Sequence, residues 1–289
     1  MASIDSTLAA EFRAPSQRPI HARVWSQTVR FVRNKPLGAF GAFMLILIVF
    51  VGVFSPWLAR DGLAEAHVDR LLEGPSADFW FGTDWNGRDI YSRIVYGCQV
   101  TALVGIGTVL LVAIISLMVG IVSGFFGGKV DFLTQRVVDI WMSFPAIFLI
   151  LTLVAVLGTT QSRGFLGLGR GPEIGPNPAN GDWFWYTFPR TTVVILVLGV
   201  VLAGGASRVI RSAVFAVKAN PYVEAAVVVG ASNVRIIWRY ILPNIMATVI
   251  VLSTVQLGVA ILAEATLSFL GVGITNFPTW GQMLSGRTR

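Results

Sequence analysis

Five long uncharged stretches alternate with polar segments along the chain, and this alternation gives the first account of its architecture. The stretches cover residues 37–59, 94–128, 140–162, 191–207 and 240–263. A helix needs about 20 apolar residues to cross a bilayer. We therefore predict an all-α polytopic membrane protein with five spanning helices, near residues 37–58, 98–124, 133–157, 190–208 and 245–268.

The fourth predicted helix is short and rich in glycine. It contains Gly199, Gly204 and Gly205. Small residues in a membrane helix let a neighbouring helix come close to its backbone. We expect tight packing along this helix.

The overall composition agrees with a membrane protein. The chain is 54% hydrophobic and 13% charged, with a mean hydropathy of +0.71, whereas soluble domains are about 25% charged. The net charge of +7 is attributed to the Lys/Arg bias of cytoplasmic segments, and no nucleic-acid partner is expected. Cys98 is the single cysteine, and His21 and His67 stand far apart in the sequence, so neither a disulfide nor a metal site is expected.

The distribution of Lys and Arg orients the predicted helices. The segment 60–93 carries seven acidic residues and four Arg, whereas 208–239 carries five basic residues and one acid. Cytoplasmic segments are enriched in Lys and Arg. We therefore expect the N-terminal tail, the 125–136 turn and the 208–243 loop in the cytoplasm. The 60–93 and 158–189 segments are then expected outside.

Within the predicted cytoplasmic loop, the stretch from Asn220 to Asn244 has the signals of two short helices. Asn220 and Pro221 suit the start of a helix, Gly230 suits a left-handed residue at its end, and Ser232 can cap a second helix. Ala225 and Ala226 are predicted to make a flat face for close packing. An amphipathic helix lying on lipid is the alternative reading of this stretch.

The residue pattern favours a partner protein over lipid. Glu224, Ala225 and Ala226, followed by Gly230-Ala231 and then by Leu242-Pro243, resemble the EAA loop of ABC importer permeases. Tyr240 departs from the family pattern, which has Ile there. The resemblance implies that Pro221 and these residues form the coupling loop that docks into a groove on an ATP-hydrolysing subunit.

A second signature lies in the predicted outer segment. The stretch WFGTDWNGRDIYSRIVYG, residues 80–97, resembles the signature of the C-type permease subunit of oligopeptide and dipeptide importers. Its glycines are expected to make tight turns and its charged residues to pair locally. A loop folded on itself and a direct substrate contact both remain open for the signature residues Phe81, Gly82, Asp84, Gly87, Arg88, Asp89 and Arg93.

The family resemblance implies the type I ABC importer transmembrane fold, a bacterial or archaeal plasma-membrane location and six spans. We therefore expect a sixth span after residue 289. The implied segments are a cytoplasmic tail (1–36), a first span with the outer loop (37–97) and a permease domain (98–289). The implied partners are a homologous second permease, two ATPase subunits that hold ATP and Mg, an extracytoplasmic peptide-binding protein and membrane lipid.

The chain is not expected to be an enzyme. The stretch from Gly124 to Lys129 fails as a phosphate loop, because Ser123 and Val130 occupy positions that require Gly and Ser/Thr. We expect a peptide permease without a cofactor of its own. A nickel or glutathione importer of the same family is the alternative. A secondary transporter is a more distant alternative, because that class would need broken helices and midplane ion sites.

Ionisable residues near the predicted spans are candidates for function by default. Glu264 follows 24 uncharged residues and is predicted either to line the pathway or to make a structural hydrogen bond. Arg136 and Asp139, three residues apart, are predicted to pair with each other.

Overall fold

The computed structural model describes residues 29–63, 65–159, 188–274 and 277–286. Throughout these ranges the chain forms helices and turns, with one isolated β-bridge between Thr83 and Asp89. Contacts divide it into two units, Met1–Leu47 and Ile48–Arg289, with the boundary inside the first long helix. The predicted outer segment 158–189 lies almost wholly outside the described residues.

The described helices follow the predicted spans in order. They are α1 (Pro36–Val53), α2 (Ser55–Leu58), α3 (Ile90–Phe126), α4 (Gly128–Met142), α5 (Ala146–Thr159), α6 (Phe188–Lys218), α7 (Pro221–Val228), α8 (Asn233–Ile236), α9 (Leu242–Phe269) and α10 (Trp280–Ser285), with a π-helical turn at Ile237–Ile241. Among the described residues, four helical stretches are long and apolar enough to cross a membrane, and α4 with α5 makes a fifth if the bent pair is one span.

The prediction of one continuous third span, over 133–157, is wrong. Two helices, α4 and α5, meet there at an angle of 79°. Pro145 lacks the N–H that would continue a helix, and its ring disfavours helical backbone at Phe144. The hydroxyl of Ser143 turns back to the carbonyl oxygen of Asp139, at 2.8 Å, at the end of α4.

Two other spans are longer than predicted. α3 begins at Ile90 rather than near residue 98, because Asp89 caps it. α6 continues to Lys218 rather than ending near residue 208. Within this longer helix, the guanidinium groups of Arg208 and Arg211 bind Asp139 and Asp131 of α4. Much of the predicted 208–243 loop is therefore helical.

The first span is also divided. α1 ends at Val53, and α2 begins at Ser55 with a Pro in its first turn. The Ser55 hydroxyl donates to the carbonyl oxygen of Gly52 at 2.9 Å. The predicted span 37–58 therefore holds a helix and a separate short turn of helix.

Close helix approach at glycine is confirmed. A Cβ on Gly199 would lie 2.8 Å from Cγ of Leu111 on α3. Farther along the same pair of helices, a Cβ on Gly120 would lie 2.8 Å from Cβ of Ile210, and one on Gly124 would lie 2.9 Å from Cβ of Val214. α3 and α6 therefore pack backbone to side chain over much of their length.

Two apolar clusters hold the helices together. The first joins α3, α5, α6 and the end of α9, around Val104, Val154 and Leu198, and includes Ile274 and Phe277 beyond α9. The second joins the other end of α3 and α6 to α7, α8 and the start of α9, around Phe125, Ile210, Val223, Ile236 and Ile245. The segment from α7 to α9 is thus part of the packed core.

Candidate functional site

The segment from α7 to the start of α9 forms the predicted helix–glycine–helix. Asn220 has extended backbone (φ −81°, ψ 143°) before α7, and Pro221 opens the helix. The Asn220 side chain does not cap α7. Its amide donates to the carbonyl oxygens of Ala216 and Val217 at 3.1 and 3.0 Å and so closes the end of α6. One residue thereby ends α6 and starts α7.

The predicted turn at Gly230 is confirmed. Gly230 has φ +83°, in the left-handed region that glycine adopts without strain. Its N–H donates to the carbonyl oxygen of Val227 at 2.9 Å, and the next N–H, of Ala231, donates to that of Ala226 at 3.0 Å. Ser232 then caps α8 by accepting from the N–H of Arg235 at 3.4 Å, also as predicted.

The two faces of α7 differ sharply. Val223 and Ala226 are buried in the second apolar cluster, whereas Val228 and Val229 are 86% and 87% exposed. The expectation that both alanines face a partner is therefore wrong for Ala226, since that position packs inward at helical spacing from Val223. Ala225 remains on the exposed side.

The rest of the predicted motif divides between core and surface. Ala231 and Leu242 are half-buried against the second cluster, and Pro243 is exposed. Glu224 is exposed and forms no ion pair with any residue that the structure describes. Its carboxylate is therefore available to a cation outside the described part of this chain.

A π-helical turn, which the sequence analysis does not predict, connects α8 to α9. Pro243 cannot donate to the carbonyl oxygen of Arg239, and its ring would clash with that group in a regular α-helix. The wider turn at Ile237–Ile241 relieves the clash. Asn244 strengthens the junction by donating to the carbonyl oxygen of Tyr240 at 2.6 Å.

At the other end of α3, the residues of the second signature fold on themselves. Gly82 and Gly87 have φ +76° and +70°, and a Cβ at either position would overlap a backbone carbonyl oxygen, of Glu73 and His67 respectively. The Thr83 hydroxyl donates to the carbonyl oxygen of Arg70 at 2.5 Å and accepts from the N–H of Glu73 at 2.8 Å. These two tight turns are confirmed.

Asp84 and Asp89 organise the loop around the start of α3. Asp84 accepts from the backbone N–H groups of Asn86 and Arg88 at 2.8 and 3.0 Å. Asp89 caps α3 by accepting from the N–H groups of Tyr91 and Ser92. Arg93 is buried, with Nη1 3.6 Å from Asp84, which confirms the local pairing for Asp84 and Arg93.

Two members of the signature depart from this pattern. Gly97 makes no turn, because it lies within α3, where a Cβ would be 2.5 Å from the Trp280 ring. Phe81 is 53% exposed, beside Trp80 at 54%. The loop therefore has exposed aromatic side chains, while its charged residues stabilise its own fold.

Two exposed basic residues of the same loop, Arg60 and Arg70, contact other side chains of the loop. Arg70 donates to Asp78 at 2.9 Å, and this hydrogen bond raises the pKa of the Arg70 guanidinium above its usual value. The Arg60 guanidinium lies 4.9 Å from the centre of the Trp80 ring. Among the described residues no group of three or more His, Cys, Asp or Glu side chains could hold a metal ion.

The Glu264 side chain is buried in the interior of the protein, near the end of α9. It is 2% exposed and accepts a hydrogen bond from the Ser268 hydroxyl at 2.7 Å. The hydrogen-bonded alternative is thus observed. A role for Glu264 in the pathway stays a prediction.

Asp139 does not pair with Arg136, which corrects the sequence expectation. Arg136 stacks over Phe132 of its own helix at 4.9 Å, and Asp139 binds Arg208 of α6 at 2.5 Å. A second pair joins the same helices, between Asp131 and Arg211. The partners lie 69 and 80 positions apart, so no local sequence signal could have found them.

The two signatures lie at opposite ends of α3. This helix has 37 residues, which is a length of about 55 Å at 1.5 Å per residue. The outer loop surrounds its first turn, whereas Phe125 at its end packs with α7. A helix of this length exceeds the roughly 30 Å of a bilayer's hydrocarbon core.

Comparison with known proteins identifies the architecture. Residues 116–287 match the family model of the binding-protein-dependent transport system inner membrane component. The chain belongs to this family. It is therefore a permease subunit and a multi-pass membrane protein, and its matched region includes the whole segment from α7 to α9.

Three relatives of the permease agree in class. A dipeptide transport system permease protein of Alkalihalophilus pseudofirmus is 32% identical over 90% of this chain and 76% of the relative. A putative peptide transport system permease protein of Brucella suis is 31% identical over 89% and 77%. A glutathione transport system permease protein of Escherichia coli O1:K1 is 30% identical over 94% and 80%.

Proposed function

We propose that the chain is one permease subunit of an ATP-driven importer of dipeptides and oligopeptides. It forms half of the translocation pathway together with a homologous second permease. Two ATPase subunits on the cytoplasmic side hold ATP and Mg, and an extracytoplasmic binding protein delivers the peptide. The chain itself binds no cofactor and catalyses no reaction.

The single observation that carries this proposal is the exposed apolar run at the end of α7. Val227, Val228 and Val229 are 58%, 86% and 87% exposed, yet α7 is fixed to the core through Val223 and Ala226. Contiguous exposed apolar surface marks an interaction site. A firmly attached helix with such a face suits docking to a moving partner protein.

The proposed coupling follows from where α7 is attached. The second apolar cluster joins α7 to the ends of α3 and α6 and to the start of α9. A force on α7 therefore acts on three membrane helices together. Closure of the ATPase subunits on ATP would shift α7 and turn the pathway from inward-facing to outward-facing, so that peptide enters from the binding protein.

The proposed orientation places the tail (1–36) and α7 in the cytoplasm of a bacterial or archaeal cell. The outer segment of the 37–97 region then meets the binding protein, and the permease domain covers 98–289. Charge supports this arrangement, since six Lys and Arg lie in 1–36 and five in 208–239, and cytoplasmic segments favour Lys and Arg.

Peptide is the substrate class that we favour, since a dipeptide permease is 32% identical to this chain and a glutathione permease 30%. Glutathione import is the alternative, favoured by a relative at 30% identity. Nickel import within the same family is the remaining one.

The test is reconstitution of the permease pair in liposomes with its ATPase subunits and binding protein. We expect uptake of a labelled dipeptide that requires ATP and exceeds uptake of glutathione or nickel. Dipeptide uptake driven by an ion gradient without the ATPase subunits would contradict the proposal.

A matched pair of variants tests the docking face. Val228→Arg should abolish co-purification of the ATPase subunits, because it places a charge in the apolar contact. Val68→Arg is the control, since Val68 is similarly exposed, at 76%, but lies in the outer loop. Equal ATPase retention by the two variants would contradict docking at α7.

A further inference from the structure

The junction between α3 and α4 is built as a hinge. Gly127 and Gly128 are consecutive and have φ +65° and +53°. A Cβ on either would meet no heavy atom within 4 Å. The position that a side chain would occupy is therefore open at both glycines, and beyond them α4 leads through the 79° bend into α5.

One carboxylate holds that hinge. Asp131, in the first turn of α4, accepts from the Ser123 hydroxyl, which lies on α3 before the two glycines. It also accepts from Nε and Nη2 of Arg211 on α6, each at 2.5 Å. Gln135 donates to the Ser123 hydroxyl oxygen at 3.0 Å. Asp131 thus ties together the residues before the hinge, those after it, and α6.

Arg211 lies on the part of α6 that packs in the second apolar cluster with α7. Ile210 and Val214, on either side of Arg211 along α6, are fully buried in the cluster that holds Val223 and Ala226 of α7. Lys218, at the end of α6, donates to the carbonyl oxygen of Phe125 at 2.6 Å. A displacement of α7 therefore reaches Arg211 through packed side chains.

We propose that Asp131 and Arg211 are positioning residues that carry the movement of α7 across the Gly127–Gly128 hinge to α4 and α5. The inference rests on the proposed function, because it assumes that α7 is moved by ATPase subunits. Without the pair, α4 and α5 can rotate about the hinge while α3, α6 and α7 move. ATP hydrolysis then continues with less transport for each ATP.

The bidentate geometry suits this task. Two parallel N–H···O bonds fix the orientation of the guanidinium relative to the carboxylate, and a single bond does not. The side chains of Asp131 and Arg211 are 16% and 32% exposed. Asp131 also has the Ser123 donor, so its position is defined from two helices at once.

A second pair between the same helices provides a control. Asp139 and Arg208 meet through one bond, and their side chains are 48% and 42% exposed. Exposed single-bond pairs contribute little to protein energetics. Asp139 also lies away from the two glycines, at the far end of α4, so its loss leaves the hinge held by Asp131.

The experiment uses the complete importer in liposomes, with peptide uptake and ATP hydrolysis measured in the same samples. We expect Asp131→Asn to lower peptide uptake per ATP about tenfold, within the range of coupling effects in proteins. Basal ATP hydrolysis and co-purification of the ATPase subunits should match the wild type. Asp139→Asn should stay within about twofold of the wild-type ratio.

A charge exchange separates positioning from simple stability. Asp131→Arg should lower uptake per ATP, and the double variant Asp131→Arg/Arg211→Asp should recover part of it by restoring the pair in reverse. If Asp131→Asn does not assemble, Ser123→Ala decides, since it removes the hydroxyl that holds Asp131 and Gln135 to α3 and leaves the Asp131–Arg211 pair in place. A reduced ratio in Ser123→Ala supports the inference.

Three results overturn it. One is an unchanged ratio of uptake to ATP hydrolysis in Asp131→Asn, or in Ser123→Ala where that variant decides. Another is a loss of uptake, ATP hydrolysis and assembled complex to the same extent in Ser123→Ala, where Asp131→Asn has not assembled. The third is a wild-type importer that shows no ATP-driven uptake, and this result also overturns the proposed function, which distinguishes it from the other two.

Discussion

Gly230 shows, at the scale of one residue, why backbone conformation matters for the proposed docking segment. Its φ of +83° lies where β-branched residues are strained. A Cβ there would meet nothing within 4 Å. The requirement for glycine is therefore conformational rather than steric, and an Asn, which tolerates left-handed backbone, should be accepted at this position.

We expect Gly230→Val to abolish peptide uptake while the subunit still inserts in the membrane. The strained backbone costs roughly 1–2 kcal/mol, which favours another path of the chain between α7 and α8. ATPase subunits should co-purify less well with this variant. Gly230→Asn is the control and should retain uptake. Normal uptake by Gly230→Val would mean that the segment only lies on the lipid surface.

Ion pairing at Glu224 is a second prediction at this scale. Glu224 is the one acidic residue of the 208–239 segment and forms no ion pair with any residue in the described part of the chain. We expect it to meet a cation on an ATPase subunit. Glu224→Lys should therefore reduce uptake and ATPase co-purification, more mildly than Gly230→Val, and Glu224→Gln less again. An unchanged co-purification by Glu224→Lys would argue against this contact.

At the scale of elements, the start of α3 depends on Asp89. This residue satisfies the N–H groups of Tyr91 and Ser92 and also accepts from the Ser92 hydroxyl at 2.6 Å. The Ser92 oxygen in turn accepts from the N–H groups of Arg60 and Asp61 at 3.0 Å. The helix cap and the fold of the outer loop are therefore one hydrogen-bond network.

We expect Asp89→Ala to lower the free energy of unfolding by about 0.5–2 kcal/mol, the usual cost of losing a helix cap. The loss should appear as a lower midpoint of thermal unfolding in detergent and as faster proteolysis within 60–89. Asp78→Ala is the matched control. Asp78 is 70% exposed in its pair with Arg70, and such pairs contribute little. Similar effects of the two changes would contradict the network.

Local signals predicted some elements well and others poorly. Asn220-Pro221, Gly230 and Ser232 are short-range signals, and the structure has helix, turn and helix where they place them. The 79° bend at Ser143–Pro145 was missed although Pro145 signals it, because a hydropathy window treats the run 140–162 as one span. The Asp131–Arg211 pair depends on the packing of α4 against α6, which no window of sequence contains.

At the scale of the whole molecule, ATP chemistry should lie outside this chain. The stretch from Gly124 to Lys129 is the end of α3 and the hinge, with Gly127 and Gly128 in left-handed conformations. It lacks the Ser/Thr that a phosphate loop needs after its Lys. We expect the purified subunit neither to bind nor to hydrolyse ATP. Nucleotide turnover in a clean preparation would contradict the assignment as a permease alone, and its loss in Lys129→Ala would trace it to this stretch.

The last prediction concerns the two ends of α3. The outer loop and residues 277–281 meet at its start, where the Trp280 ring N–H donates to the carbonyl oxygen of Ile94 at 3.2 Å. α7 packs at its other end, about 55 Å away at 1.5 Å per residue. Because this distance exceeds a bilayer's apolar thickness, the two ends should face opposite compartments. A reporter fused after Lys218 should be cytoplasmic and one fused after Gly74 external. Both fusions reporting the same side would refute this topology, whereas an exchange of sides would keep the architecture and reverse only its orientation.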